Sequence, residues 1–237
     1  MARRSVRQSE VLIVTCDDAG LDNQIDVGCP EMTASTLAVP SAPPRRTALF
    51  IREFLRDPLT TASLVPSSRA LSAAMIPADR APGVVVELGP GTGAFTGALQ
   101  ERAPIRHLGI ELNALLAQRL AADFPTVEVE TAGVDRLERI LRSRDLAGRV
   151  DTVVSGLPWQ AFAGPVGAEL IPSIARILKP EGTFTQFTYS WTRWAPPGRH
   201  QHRTLRSNFA AVDVSRPVWR NFPPATVYTC RGPLAAR

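Results

Sequence analysis

Short apolar runs alternate with stretches of helical periodicity from residue 81 to the end of the chain. The run Val84–Leu88 begins with three β-branched residues between Pro-Gly and a glycine loop, which is typical of a strand buried on both faces of a parallel sheet. The alternation predicts a doubly wound α/β, Rossmann-like sheet of seven strands that ends in a hairpin. The predicted strands are Val84–Leu88, His107–Glu111, Val127–Glu130, Val150–Ser155, Thr183–Thr188, Ala210–Val214 and Ala225–Cys230, and the predicted helices are Phe95–Arg102, Leu115–Asp123, Asp135–Arg144 and Val166–Leu178.

The segment before this domain has a different pattern. Residues 1–44 combine an acidic stretch with a proline-rich end, which predicts a poorly ordered arm. In residues 45–80 we expect a helical extension whose first helix, Arg45–Arg56, carries apolar residues on one side and arginines around them. That side either packs on the domain or lies in a membrane interface. A second helix is predicted from about Pro66 to Met75, opened by the capping residues Ser67 and Ser68.

Length and composition favour a single catalytic domain. The chain has 237 residues, 44% of them hydrophobic, and no apolar run approaches the ~20 residues that cross a bilayer. The N-terminus lacks a signal-peptide core, so we expect a cytoplasmic protein, with peripheral attachment to the inner face of the membrane as an option. The three cysteines are widely spaced, and His200 and His202 have no metal-ligating neighbour in sequence, so no metal site is expected.

The charge is strongly basic, with a net charge of +5 and Lys179 as the single lysine. An anionic membrane surface, a phosphate-bearing substrate and a nucleic acid would all suit this charge, and coding bias toward arginine would also explain it. We expect an amino-phospholipid substrate and an anionic membrane before nucleic acid, for reasons given below. Four arginines follow the fifth predicted strand in a proline-rich segment interpreted as a loop, where they either pair with phosphates or are merely solvated: Arg193, Arg199, Arg203 and Arg206.

The sharpest chemical signal is the sequence V-V-V-E-L-G-P-G-T-G at residues 84–93. Glycines after a strand let the backbone turn and approach a ligand, and the N-terminus of the following helix faces that ligand. Glu111 ends the next predicted strand roughly 20 residues further on, where a carboxylate can accept hydrogen bonds from ribose hydroxyls. A nucleotide-like cofactor is therefore expected, and a nicotinamide enzyme, a flavin enzyme or a fold without ligand are the alternatives.

The G-x-G-x-G spacing, with Glu87 two residues before the first glycine, resembles motif I of class I S-adenosylmethionine-dependent methyltransferases. The resemblance implies S-adenosyl-L-methionine as cofactor, with Glu87 near the methionine ammonium and Glu111 on the ribose. The resemblance implies these cofactor-binding residues: Ser67, Ser68, Glu87, Leu88, Gly89, Gly91, Thr92, Gly93, Glu111, Leu112, Ser155 and Gly156.

The fourth predicted strand ends in Ser155-Gly156-Leu157-Pro158-Trp159, where the substrate of such an enzyme is expected. Methyltransferases that modify an adenine amine carry Asn or Asp here to accept hydrogen bonds from that amine. Because Ser155 replaces that acceptor, the sequence argues against RNA or DNA adenine as substrate.

An ordered series of segments resembles the bacterial phospholipid N-methyltransferases, the phosphatidylethanolamine-methylating branch related to ribosomal RNA adenine dimethylases. The series covers roughly Leu49 to Arg231 and consists of F-L-R-D-P, S-L-V-P-S-S-R-A-L, the glycine loop, S-G-L-P, Q-F-T-Y and N-F-P-P-A. The resemblance implies that the Arg45–Arg56 helix lies on the membrane, that Ser67 and Ser68 cover the cofactor, and that Tyr189 sits by the lipid headgroup. The expected substrate-site residues are Tyr189, Ser155, Leu157 and Trp159.

Two details of this expected site remain open at the level of sequence. The aromatic residues Trp159, Trp191 and Trp194 surround the methylated ammonium in one interpretation. In the other, Trp159 closes the pocket while Trp191 and Trp194 anchor a loop to a membrane or to the core. After the third strand, relatives show Gly-Asp-Ala, whose acid binds the adenine amine, whereas this chain reads T-A-G-V-D at residues 131–135. Either the backbone alone holds the adenine or Asp135 reaches in from a shifted loop.

The sequence therefore predicts N-methylation of phosphatidylethanolamine or a related amino-lipid. The alternatives are RNA adenine N6-methylation, methylation of a small-molecule amine, and a non-catalytic lipid- or RNA-binding module on the same fold. Methyl transfer to an amine needs a neutral nitrogen in line with the sulfonium, and positioning supplies much of the acceleration. No covalent nucleophile is expected.

Overall fold

The computed structural model describes residues 67–76, 83–159 and 165–234, with the side chains of 165–168 left out of that description. The predicted arm and the Arg45–Arg56 helix lie outside the described residues. The described part forms a sheet of seven strands in the order β3-β2-β1-β4-β5-β7-β6, with β7 antiparallel to both of its neighbours. This confirms the predicted Rossmann-like sheet with a terminal hairpin.

The elements follow the predicted alternation of strand and helix. The strands are β1 Val84–Leu88, β2 Arg106–Glu111, β3 Glu128–Thr131, β4 Val150–Ser155, β5 Leu178–Tyr189, β6 Phe209–Val214 and β7 Ala225–Pro233. The α-helices are α1 Arg69–Met75, α2 Thr96–Gln100, α3 Ala114–Asp123, α4 Leu137–Arg142, α5 Pro165–Ile177 and α6 Pro196–Asn208, and 3-10 turns lie at Val134–Arg136 and Thr192–Trp194.

The proline-rich segment after β5 is the largest departure from the predictions. It was expected to be a loop, but it forms the 13-residue helix α6. Pro196 and Pro197 stand at its first positions, where a helix needs no backbone N–H donor and the fixed φ of proline suits the helix. His200 and His202 therefore point away from each other, because residues two apart on a helix do not share a face.

Two apolar clusters cover the two faces of the sheet. Helices α4, α5 and α6 pack on one face, with buried residues that include Leu141, Ile174 and Leu205. On the other face α1 and α2 pack through Leu71, Met75 and Leu99. The chain turns from one side of the sheet to the other between β1 and β4, and in sheets of this kind ligands bind outside the carboxyl ends of the strands at that point.

One arginine forms ion pairs with two glutamates of the outer strand β3. The Arg144 guanidinium pairs with Glu128 and, at 2.6 Å, with Glu130, while Arg106 pairs with Glu128 at 2.8 Å. Partial burial by itself raises the pKa of Glu128, but the hydrogen bonds and charges of Arg144 and Arg106 outweigh it and hold that pKa below its ordinary value. The ionised form is therefore favoured by folding, and its contribution is present at neutral pH and disappears as the pH falls through the folded-state pKa.

We expect Glu128→Gln to lower the free energy of unfolding at about pH 7 by no more than about 1 kcal/mol, because the pair is partly exposed. In acid the difference between variant and wild type should shrink toward zero. Urea denaturation at about pH 7 and about pH 3 measures both values, with Glu101→Gln, an exposed glutamate outside this network, as control. A constant difference at both pH values would contradict the assignment.

Candidate cofactor and substrate site

The glycine loop after β1 presents open backbone at the carboxyl edge of the sheet. Gly89, Gly91 and Gly93 have φ values of 65°, 57° and 81°, in the region that disfavours other residues. A Cβ at Gly89 would lie 2.7 Å from Leu157 Cδ2, whereas a Cβ at Gly91 would meet nothing within 4 Å. The Gly91 backbone therefore borders empty space at the place where a cofactor can approach.

Glu111, at the end of β2, is tied to this loop. It is buried, and its Oε2 accepts a hydrogen bond from Gly91 N at 3.0 Å while its Oε1 accepts one from Asn113 N at 2.8 Å. Asn113 in turn caps α3 by accepting from Leu115 N and Leu116 N. Each carboxylate oxygen has more than one acceptor site, so Glu111 keeps capacity for ligand hydroxyl groups while holding the loop in place.

Glu87 is fully buried at the carboxyl end of β1. Its Oε2 accepts a hydrogen bond from Thr96 Oγ1 at 2.7 Å, and His107 Nε2 lies 3.2 Å from the same oxygen without hydrogen-bond alignment. The other oxygen, Oε1, has no hydrogen-bond partner among the described residues. A buried carboxylate oxygen without a donor is costly, and a cationic ligand group would satisfy it.

A chain of polar side chains holds His107 beneath Glu87. Thr126 Oγ1 donates to Gln100 Oε1 at 2.7 Å, which orients the amide so that Gln100 Nε2 donates to His107 Nδ1 at 2.8 Å. Because Nδ1 accepts, the neutral ring carries its proton on Nε2, the atom that faces Glu87. The sequence did not predict this series of hydrogen bonds, because nothing in the local pattern indicates that a histidine within a strand will be hydrogen-bonded.

The loop after β4 closes against the glycine loop. Gly156 N donates to Leu88 O at 2.9 Å, and a Cβ at Gly156 would lie 2.6 Å from Gly89 O, so no larger residue fits between the two backbones. Ser155 Oγ accepts hydrogen bonds from Trp159 Nε1 at 3.1 Å and Leu157 N at 3.3 Å. The Ser155 hydroxyl thus shapes the turn after β4.

The three tryptophans of the suggested aromatic cage have different neighbours. Trp159 is 2% exposed and packs edge-on against Phe184 in the core, at 5.8 Å between ring centroids. Trp191 stacks on Tyr189 at 5.3 Å, and the Arg193 guanidinium lies 4.6 Å over the Trp194 ring. The contacts favour loop anchoring for Trp191 and a core position for Trp159, so among the expected substrate-site residues Tyr189 and Leu157 lie nearer the surface.

Helix α1 spans this edge. Ser68 caps it by accepting from Leu71 N at 3.1 Å, which agrees with the predicted cap, and Ser68 N donates to Asn221 Oδ1 at 3.0 Å. Ser72 Oγ donates to Ala94 O at 2.9 Å, beside the glycine loop. The helix is therefore fastened both to the loop before β7 and to the glycine loop. Asn221 and Ser72 were missed as tethers, although the N-F-P-P motif that contains Asn221 was noted.

Beyond β3, the Asp135 carboxylate folds back over the backbone of Gly133. A Cβ at Gly133 would lie 2.2 Å from Asp135 Oδ1 and 3.9 Å from Leu112 Cδ1. The glycine therefore makes room for the acid, and the half-exposed Leu112 lies beside it. The sequence left open whether the backbone alone or Asp135 holds the adenine. This arrangement favours Asp135, whose carboxylate reaches toward the carboxyl ends of the strands.

The strand order, the glycine loop and the two buried acids are those of a class I methyltransferase fold. No protein-family model matches the chain. Over 195 residues the chain is 36% identical to the ornithine lipid N-methyltransferase of Singulisphaera acidiphila, and the match covers 78% of this chain and 95% of that protein.

Two solved structures show the same fold. The 1,6-didemethyltoxoflavin-N1-methyltransferase of Burkholderia thailandensis, solved with S-adenosylhomocysteine, matches with a TM-score of 0.63 at 20% identity over 84% of this chain and 94% of that chain. Spermidine synthase from Thermotoga maritima matches with a TM-score of 0.53 at 12% identity over 71% of this chain and 61% of that chain. The chain belongs to the family of the Singulisphaera enzyme and is an S-adenosylmethionine-dependent methyltransferase. The expected cofactor is thereby confirmed, and the nicotinamide and flavin alternatives are excluded.

Proposed function

We propose that the enzyme methylates the aliphatic amine of an amino-lipid headgroup, with phosphatidylethanolamine and ornithine lipid as the two candidate acceptors. The observation that carries this proposal is the 36% identity to a lipid N-methyltransferase across nearly the whole of that protein. The occupied Ser155 hydroxyl supports it, because Trp159 and Leu157 already donate to the atom that replaces the adenine-amine acceptor of nucleic acid enzymes.

In this proposal each of the two buried acids binds a different part of the cofactor. Glu87 Oε1, which has no donor among the described residues, accepts from the methionine ammonium, and Glu111 accepts from the ribose hydroxyls. Asp135 accepts from the adenine amine. The remaining contacts come from residues that border the same edge: Ser67, Ser68, Leu88, Gly89, Gly91, Thr92, Gly93, Leu112, Ser155 and Gly156.

S-adenosylmethionine supplies an electrophilic methyl group on a sulfonium. The chain has to hold a neutral amine in line with it, and we assign to the loops around Leu157 and Tyr189 the role of excluding water from that position. The bound cofactor would supply the methyl group and leave as S-adenosylhomocysteine, and the methylated ammonium would then lose a proton to solvent. We assign Tyr189 to orientation of the headgroup, because Trp191 stacks on one face of its ring and Phe187 contacts it edge-on at 6.1 Å, which fixes its direction.

We further propose that the enzyme meets its lipid at an anionic membrane through the loop between β6 and β7. Trp219 and Phe222 in this loop are 76% and 75% exposed, and Arg216 and Arg220 stand beside them in sequence. Exposed aromatics among arginines suit the boundary between headgroups and acyl chains. No helix of the described residues is long and apolar enough to span a bilayer.

Changing both Trp219 and Phe222 to alanine should weaken binding to vesicles of phosphatidylethanolamine and phosphatidylglycerol at least ~10-fold, since each ring loses apolar burial in the interface. Flotation of the protein with vesicles measures this. Ile105→Ala is the matched control, because Ile105 is 87% exposed but precedes the amino-terminal end of β2, away from the loop between β6 and β7. Equal flotation of the double variant and the control would rule out this loop as the contact.

An acceptor panel tests the proposed function. Vesicles that contain phosphatidylethanolamine, vesicles that contain ornithine lipid, and total RNA are incubated separately with enzyme and methyl-labelled S-adenosylmethionine. We expect label in at least one lipid and none in RNA above the enzyme-free background. Label in RNA alone would overturn the proposal, and label in neither, with cofactor binding intact, would redirect the search to small-molecule amines.

A further inference from the structure

A basic cavity lies between α6, the 3-10 turn before it and strand β7. It has a volume of about 480 Å³. The six residues that line it combine three arginines and a histidine with two aromatic side chains: Arg193, Trp194, Arg199, His202, Arg203 and Tyr228. We call it the arginine pocket. Because the proline-rich segment was predicted to be a loop rather than helix α6, the sequence alone did not predict that these residues lie together.

The arginine pocket carries positive charge that no acid among the described residues matches. None of its lining residues is acidic, and the ion pairs formed among the described residues include none of its arginines. Burial, followed by the charges of Arg206 and Arg193, lowers the pKa of His202, as expected for an imidazole next to positive charge. A recess of uncompensated positive charge concentrates anions.

The geometry of the pocket is suited to an oxyanion. Arg199 Nη1 donates to Trp194 O at 2.6 Å, and the Arg193 guanidinium stacks over the Trp194 ring, so two of the three arginines are held in place before any ligand arrives. Burial raises the pKa of Tyr228, with part of the rise offset by the Arg193 charge, so this hydroxyl remains a donor at neutral pH. Planar guanidinium groups bind carboxylate and phosphate with paired hydrogen bonds.

The pocket lies close to the methyl-transfer edge. In the sheet Ser155 is paired with Gln186, and Gln186 is paired with Tyr228, so the three residues form one row on one face. Neighbouring strands are about 4.8 Å apart, which puts the Tyr228 backbone about 10 Å from that of Ser155. Gln186 Nε2, in the middle of this row, is buried and has no hydrogen-bond partner among the described residues. The amine and the acid of one headgroup, a few covalent bonds apart, cover about half of this distance, so the long arginine side chains of the pocket have to cover the rest.

We propose that the arginine pocket binds the anionic group of the lipid headgroup, a phosphate or a carboxylate, while the amine of the same headgroup receives the methyl group. This inference rests on the proposed function. Arg203 makes no ion pair or side-chain hydrogen bond among the described residues, and we assign it the role of closing on the anion. The distance between the acid and the amine of a headgroup then helps to determine which lipid is a substrate.

The kinetic test compares Arg203→Gln with Arg139→Gln, which removes the same charge from an exposed position on α4 outside the pocket. Methyl transfer to phosphatidylethanolamine and to ornithine lipid is measured in neutral-detergent micelles, so that membrane attraction does not contribute. We expect Arg203→Gln to raise KM at least ~10-fold with kcat within about 2-fold, because it removes a charge-assisted contact made to the bound substrate. A long-chain alkyl amine without an acid should show no such difference.

A binding test reads the pocket without turnover. The His202 ring resonances are followed by NMR as inorganic phosphate or acetate is added to wild type, Arg203→Gln and Arg139→Gln. We expect saturable shifts in wild type and Arg139→Gln that are at least ~10-fold weaker in Arg203→Gln. A response to phosphate alone supports a phospholipid headgroup, and a response to acetate alone supports an amino-acid lipid.

The two tests separate failure of this inference from failure of the proposed function. If wild type methylates no lipid, the proposed function fails, and with it the assignment of the pocket to a headgroup. If wild type methylates lipid but Arg203→Gln and Arg139→Gln share the same KM, the inference fails while the function stands. Absence of any His202 response to either anion would also overturn it.

Discussion

Replacing Glu111 with alanine is expected to raise the dissociation constant for S-adenosylmethionine about 100-fold. Hydrogen bonds to a charged group contribute about 1.5–3 kcal/mol each, and loss of the contacts to two ribose hydroxyls corresponds to about 3 kcal/mol after partial compensation by water. The change also removes the acceptor of Gly91 N and Asn113 N, so the glycine loop loses its tether. Isothermal titration calorimetry measures the affinity, and thermal unfolding without cofactor reports the structural part.

Two comparisons make the Glu111 result specific. Glu111→Gln keeps one oxygen acceptor and should fall between wild type and Glu111→Ala. Glu101→Ala removes an exposed glutamate at the end of α2 and should leave the affinity unchanged. An affinity in Glu111→Ala within about 3-fold of wild type would show that the ribose is held elsewhere.

Gly91→Ala should abolish measurable cofactor binding while costing little stability. Its φ of 57° disfavours alanine by about 1 kcal/mol, and the new Cβ meets no protein atom within 4 Å. That methyl group would stand in the space that the cofactor approaches. Gly148→Ala is the matched control. Gly148 also has a positive φ, 69°, and a Cβ added there also meets no atom within 4 Å. It lies in the turn before β4, at the amino-terminal ends of the parallel strands and away from the glycine loop.

The two glycine variants should therefore lose similar amounts of stability in urea denaturation, about 1 kcal/mol each, and differ in cofactor binding by at least about 100-fold. Unchanged binding in Gly91→Ala would place the cofactor away from this loop. Equal loss of binding in both variants would show that backbone strain, transmitted through the fold, accounts for the effect.

The sequence predicted the parts of the fold that depend on local pattern. Runs rich in β-branched residues, with glycines close to both ends, located β1 and β4 to the residue. Ser68 was foreseen as a helix cap because a capping hydroxyl acts within one turn. The glycine loop and Glu111 were also visible, since their spacing is fixed by a strand, a helix and a second strand. Each of these signals is contained within about 25 residues of the chain.

The features that were missed depend on contacts between distant segments. The sequence around Trp159 gave no sign that its ring would pack on Phe184, which lies on a different strand. Helix α6 was hidden because prolines interrupt a helix in its interior but are accepted at its start, and only the boundary at Pro196 distinguishes the two cases. The arginine pocket follows from that helix, because it needs β7 to supply Tyr228.

The most direct test of the central claim is mass spectrometry of the lipid after incubation with methyl-labelled S-adenosylmethionine, for wild type and Glu111→Ala side by side. The account predicts labelled methyl on the headgroup nitrogen in wild type, one S-adenosylhomocysteine released per methyl, and at low cofactor concentration a loss of about 100-fold in the variant. Labelled lipid formed equally well by Glu111→Ala, or S-adenosylhomocysteine released with no methyl on any lipid amine, would contradict it.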